Sequence, residues 1–241
     1  MNFFKEVGYK PSKKVVGLDL KQLRFIAIFV LIGIAIFLGI DVIPKEMQNS
    51  IYILLASINL FFILMRVVNY VFIQKNFIAS YSLPLHVCSF NVFLCFIASI
   101  THSAIIMDYV FAMSPCFAFL ALVFPESDAA KYPHFNFRSI EYYLSHTLLM
   151  VVPFIPIRYM GFVPSISYFT GAFVILLITC TIAGIVNLKS GGNYMYINHA
   201  PKRTPLEIVE KGTGKPIYRV IIVISYIVFY FIAHFIWNIL F

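Results

Sequence analysis

Charge is what this sequence lacks. Only 12% of its 241 residues are Asp, Glu, Lys or Arg, while 61% are hydrophobic. A soluble globular protein is about 25% charged and about 45–50% apolar. Together with a mean hydropathy of +0.89, this excludes a disordered chain and an ordinary cytosolic enzyme. Cysteine is scarce too. Cys88, Cys95, Cys116 and Cys180 all lie in apolar runs and form no C-x-x-C pair, so neither a disulfide framework nor a zinc site is expected. H-E-x-x-H, G-x-S-x-G, P-loop and G-x-G-x-x-G patterns are all missing. The sequence therefore gives no support for a metalloprotease, a serine hydrolase of the α/β type or a nucleotide enzyme. There is no internal repeat.

What remains is an all-α, polytopic membrane protein. Seven apolar runs, at about 25–43, 51–73, 83–100, 104–124, 139–157, 167–187 and 217–240, match the roughly 17–25 residues of helix that cross a bilayer. They predict a seven-helix bundle forming one transmembrane domain over 1–241. Only Thr101-His102-Ser103 separates the third and fourth runs, which makes those helices antiparallel neighbours. The first run is too long for the core of a cleaved signal and no small-x-small site follows it, so it reads as an uncleaved anchor. An odd helix count argues against a transporter built from two equal inverted halves.

Basic residues set the orientation. With the N-terminus inside, the inner segments carry fifteen: six from Lys5 to Arg24, then Lys75, Lys131, Arg138, Lys189, Lys202, Arg203, Lys211, Lys215 and Arg219. The outer segments carry only Lys45 and Arg158, and Arg66 lies within a helix. Such an asymmetry predicts a cytoplasmic N-terminus, an external C-terminus and residence in the cell membrane. The net charge of +8 is thus a matter of topology and of anionic inner-leaflet lipid. It does not point to nucleic acid, since no basic helix stands clear of the membrane. The segment 188–216 is too short for a core of its own and is expected on the cytoplasmic face.

An ionisable side chain costs about 2.5–3.5 kcal/mol at the centre of a membrane helix, so each one is a candidate functional group. The second run carries Arg66, with Asn59 and Asn69 on the same helical face. In the third, Cys88, Asn91 and Cys95 share one face, and His86 and Ser89 the next. The fifth carries Glu141, Tyr142, Ser145 and His146, with Tyr142 and His146 stacked one turn apart. Arg66, Cys88 and His146 each lie five to seven residues from the inner end of their spans, which is a depth of roughly 7–11 Å. His86 falls in the same layer. A pocket open to the cytoplasmic leaflet would need such a layer. The competing readings are Arg66 snorkelling to phosphates, Cys88 as ordinary packing and His146 as an interhelical hydrogen bond. Asp108 and His234 are expected at the outer interface, and His102, His134 and His199 in loops.

Three stretches carry a family resemblance: Leu83-Pro84-Leu85-His86-Val87-Cys88, Glu141-Tyr142-Tyr143-Leu144-Ser145-His146 and Gly192-Asn193-Tyr194-Met195-Tyr196. In order and spacing they resemble the YwaF-like bacterial integral-membrane proteins, over roughly residues 80–200. That family looks related to animal multi-pass acyltransferases, which move acyl chains between phospholipids using a cysteine and a histidine. The family's Thr-Pro-Asp signature is partly kept as Phe124-Pro125-Glu126. His146 matches the family histidine. In the animal branch the nucleophile directly follows the proline, a position held here by Leu85. Either Cys88, three residues on, takes the role, or the chemistry differs.

Three functions follow as expectations. The first is a membrane acyltransferase or lipid-acyl hydrolase, with membrane phospholipid or acyl chain as substrate and no cofactor. Cys88 would be its nucleophile, His146 the base and His86 a second candidate base. Arg66, Asn69, Asn91, Tyr142 and Asn193 would bind substrate. A buried thiol needs a basic neighbour to ionise, so a Cys88–His146 contact is a condition of this reading. The second is a transporter, or a subunit of one, in which Arg66, His86 and His146 bind a small anionic solute. The third is a non-enzymatic partner subunit whose polar residues only join helices. Segment 188–216 is expected to pack beneath the pocket, Gly191-Gly192 allowing a close backbone approach. The alternative is an aromatic interfacial anchor.

Overall fold

The computed structural model describes residues 3–4, 20–124, 135–202 and 204–241. The basic cluster from Lys5 to Lys14, Lys131, His134, Arg203 and most of the Phe124-Pro125-Glu126 signature lie outside the described residues. Those described are helical and contain no strand. In chain order the helices are α1 (Leu20–Gly39), α2 (Lys45–Val68), α3 (Val87–Thr101), α4 (Ala104–Val123), α5 (Phe137–Val151), α6 (Ile155–Tyr159), α7 (Phe169–Ser190), α8 (Pro205–Thr213) and α9 (Lys215–Leu240). Among the described residues, six segments are long and apolar enough to cross a membrane, α5 and α6 together forming one of them.

The third expected span is shorter than its apolar run. Only Val87–Thr101 is helical, about 22 Å at 1.5 Å per residue, which falls short of a hydrocarbon core of about 30 Å. Pro84 is the physical reason: it has no N–H to donate and biases Leu83 away from helical torsions. His86 is extended (φ −76°, ψ 158°) and caps α3. The other boundaries follow the apolar runs closely. Pro153 and Pro156 break the fifth span into α5, a 3-10 turn and α6. The short amphipathic α8 lies within 188–216 and is not foreseen by the hydropathy pattern.

α4 is the hub, packing against α3, α5, α7 and α9, while α2 lies against α3 and α5 and α1 covers α5. The most buried apolar stretches are those of the α5–α6 span, at 61%, and α4, at 56%, against only 17% for α1. A helix apolar on every side belongs in the middle of a bundle. α2 does not stop at Val68 but continues through a π-helical turn, Asn69–Ile73, a local irregularity that recurs at functional sites.

Candidate functional site

Arg66, in the last turn of α2, ties three helices together. Its Nη2 donates to the Ser89 hydroxyl on α3 at 3.0 Å, and its Nη1 to Glu141 Oε1 on α5 at 3.3 Å. Glu141 is 1% exposed, and its second oxygen accepts from Arg138 Nη1 at 2.7 Å. The Arg138 guanidinium in turn lies over the Tyr70 ring, 5.2 Å from its centroid. One buried carboxylate thus serves two guanidiniums. Asn69, three residues beyond Arg66, is 1% exposed, and neither of its amide atoms has a hydrogen-bond partner among the described residues.

The expected nucleophile and base stand on either side of this cluster. Cys88 precedes Ser89 on the first turn of α3, is half-buried, and lies within electrostatic reach of Arg66 and of Tyr226 on α9. His146 lies just over one turn beyond Glu141 and is within reach of both Glu141 and Arg66. Its Nδ1 is 2.6 Å from the Tyr142 carbonyl oxygen. A carbonyl only accepts, so Nδ1 carries the proton, and in the neutral ring the Nε2 lone pair is left as an acceptor. Tyr142 steadies this arrangement: its ring centroid is 4.3 Å from that of His146, and its hydroxyl donates to the Ala121 carbonyl. Cys88 and His146 therefore share Arg66 as a neighbour. Among the described residues, no hydrogen bond joins them directly.

His86 takes a different place. Its ring sits against Tyr194 and Tyr196, with centroids 5.3 and 5.1 Å away, so it faces the segment that follows α7. Within that segment the stretch around Tyr194 is docked against the residues leading into α3. Tyr194 is fully buried; its hydroxyl accepts from Leu83 N at 2.9 Å and donates to Ala79 O at 2.8 Å. Burial pushes the Tyr194 phenol above its usual range, which keeps it protonated and donating. The Asn187 side chain grips the Tyr194 backbone from both sides, at 2.7 and 2.9 Å. Gly192 allows the approach, since a Cβ there would come within 2.8 Å of the Ser80 carbonyl oxygen. Non-helical backbone at membrane depth is tolerated only where protein groups satisfy it, and Tyr194 does this for the stretch leading into α3.

Asn193 organises its own loop. Its Oδ1 accepts from Asn198 N and His199 N, and its Nδ2 donates to His199 O. Asn91 is fully buried on α3 with both amide atoms unpaired. Ser89, Glu141 and Arg138 are site residues to which the sequence reading gives no role. The signal was present in Ser89 beside Cys88 and in the i, i+3 spacing of Arg138 and Glu141.

At the other end of the bundle, Asp108 and His234 are buried together rather than spread over an interface. Asp108 is fully buried and accepts from Ser165 N at 3.0 Å and Tyr230 OH at 2.5 Å, with His234 Nε2 at 3.2 Å. Between the two ends, a small apolar crevice lies among α4, α7 and α9, lined by residues including Met113, Leu176, Tyr226 and Ile227.

A family model described as the TMEM164 family matches residues 18–238. No curated protein and no solved structure matches the chain.

Proposed function

The chain belongs to the TMEM164 family, a family of multi-pass integral membrane proteins, and on that premise we propose that it is an acyltransferase or lipid-acyl hydrolase. It works at the inner leaflet of the cell membrane, with its N-terminus inside. The observation that carries this reading is the fixed tautomer of His146, whose Nδ1–H is held by the Tyr142 carbonyl beside an arginine that also neighbours Cys88.

The Cys88–His146 contact that this reading requires forms when substrate binds, as catalytic hydrogen bonds often do; His146 Nε2 then takes the thiol proton, and the sulfur attacks the carbonyl carbon of a phospholipid acyl ester. The tetrahedral intermediate collapses to a Cys88 thioester as the ester C–O bond breaks, and the proton on His146 passes to the departing alkoxide. An acceptor hydroxyl, or water, then gives its proton to Nε2 and attacks the thioester carbonyl, which releases the acyl group and restores the thiol. Arg66 and Asn69 hold the substrate phosphate, a role suited to a guanidinium.

The test uses the purified full chain in vesicles of phosphatidylethanolamine and phosphatidylglycerol with radiolabelled acyl chains. Transfer to added lysophospholipid, or release of fatty acid, is expected from the wild type. Cys88→Ala abolishes it, and His146→Gln slows it by about 10²–10⁴-fold, the usual worth of a general base. Undiminished turnover by Cys88→Ala overturns the reading.

A further inference from the structure

The ion pairs of Arg66, Glu141 and Arg138 leave one charge unanswered. Arg66 Nη1 donates to Glu141 Oε1 at 3.3 Å and Arg138 Nη1 to Oε2 at 2.7 Å. Both carboxylate oxygens are engaged, and two guanidiniums against one carboxylate leave the cluster with a single net positive charge. The three side chains are not equally sheltered. That of Glu141 is 1% exposed, whereas those of Arg66 and Arg138 keep 17% and 12%. The cluster hides its anion and shows its cations.

All three residues belong to segments long and apolar enough to cross a membrane, Lys45–Ile73 and Phe137–Tyr159. An uncompensated charge is costly in such a place, and an anionic ligand removes that cost. The groups at hand suit phosphate. Planar guanidiniums match its oxygens. Asn69 adds a neutral donor and acceptor: it follows Arg66 by one turn, is 1% exposed, and has neither amide atom paired among the described residues. Buried polar groups are almost always satisfied, so its two empty bonding positions beside the cations are a second mark of a ligand.

We propose that Glu141 makes this site selective for a phosphate diester, which carries one negative charge, over a phosphate monoester, which carries two. A diester and the cluster sum to zero charge. A fully ionised monoester leaves one negative charge uncompensated, and burying such a charge is strongly unfavourable. The inference rests on the acyl-transfer reading only in taking the ligand to be a lipid phosphate. It concerns binding, and the thiol chemistry plays no part in it.

Competition binding to the full chain carrying Cys88→Ala, in a non-ionic detergent, tests this without turnover. The probe is tritiated dihexanoyl phosphatidylglycerol, and the competitors are the same lipid unlabelled, dihexanoyl phosphatidate and glycerophosphoglycerol. At about pH 8 the diester lipid is expected to compete at least about tenfold better than phosphatidate, a modest share of what an uncompensated buried charge costs. A phosphate monoester takes up its second proton near about pH 6, so the two lipids are expected to converge at about pH 5. The protein's own titratable groups facing Arg66 are Tyr70, Glu141, His146 and Tyr194. The diester reports any change in them, because its own charge is constant over this range.

Glu141→Gln raises the cluster to two positive charges and is expected to reverse the preference at about pH 8. Absence of specific probe binding, or equal competition by the two lipids at that pH, overturns the proposal. A folded Glu141→Gln with the original preference does so too. Where Glu141→Gln does not fold, the pH dependence decides alone. Competition by glycerophosphoglycerol as strong as by the lipid would place the diester in solution and overturn the lipid source. Selective lipid binding by a chain whose wild type transfers no acyl group would uphold the charge selection and remove the enzymatic reading.

Discussion

Arg66 on α2 and Glu141 on α5 form an ion pair at 3.3 Å in which the carboxylate is 1% exposed and the guanidinium 17%. The same carboxylate holds Arg138 at 2.7 Å. Glu141 is thus the shared counter-charge for two cations drawn into the bundle. Removing one partner of a buried pair leaves the other uncompensated, a larger loss than the net worth of the pair.

Glu141→Gln is therefore expected to lower stability by about 3–5 kcal/mol, read as a fall in the melting midpoint of the detergent-solubilised protein. Arg66→Lys is expected to fall short of Arg66 in a different way. An ammonium on a flexible stem does not reproduce the planar fork that reaches Ser89 and Glu141 together. An unchanged midpoint for Glu141→Gln would mean that the two arginines are neutralised elsewhere.

Asn187 is the anchor of the segment after α7. Asn187→Ala leaves the Tyr194 N–H unpaired in a buried place, a loss of about 1–3 kcal/mol, and leaves the Tyr194 carbonyl only the long bond from Ile197 N at 3.4 Å. Trypsin cleavage at Lys189 and Lys202 should become several-fold faster while membrane insertion is unaffected. Gly192→Ala should give the same result by pushing against the Ser80 carbonyl. Cleavage at the wild-type rate in both variants would show that the docking is not held this way.

Asp108 gathers the distal ends of α4 and α9 and the turn at Ser165. Asp108→Asn keeps the shape but removes the charge that strengthens these bonds, and hydrogen bonds to charged groups are worth about 1.5–3 kcal/mol. Faster amide exchange across 160–168 is expected, together with a lower melting midpoint. No change in either would reduce the cluster to simple packing.

Much of the bundle is legible in the sequence, because long apolar runs report spans directly: the fourth and seventh runs fall within two residues of α4 and α9. Hydropathy fails where a residue changes the backbone without changing polarity. Pro84 shortens α3, and Pro153 and Pro156 bend the fifth span, although each lies in an apolar stretch. Helical rise converts residue counts into distance, which is the basis for expecting Arg66, Cys88 and His146 in one layer. Pairing is not readable in that way. Ser89 and Glu141 become the partners of Arg66 only once α2, α3 and α5 are assembled. Asn193 resembles a binding residue by its place in a motif, yet it spends its hydrogen bonds on its own loop. Asp108 and His234, at the far ends of α4 and α9, read as interfacial until packing buries them together.

The most direct test of the account is to look for the covalent intermediate. The full chain is incubated with phospholipid vesicles carrying radiolabelled acyl chains, quenched in acid, digested, and mapped for label that hydroxylamine removes. The account predicts a hydroxylamine-labile acyl group on the peptide containing Cys88, absent from Cys88→Ala and strongly reduced in His146→Gln. Label on another residue, or phospholipid turnover with no acyl group on Cys88, would contradict it.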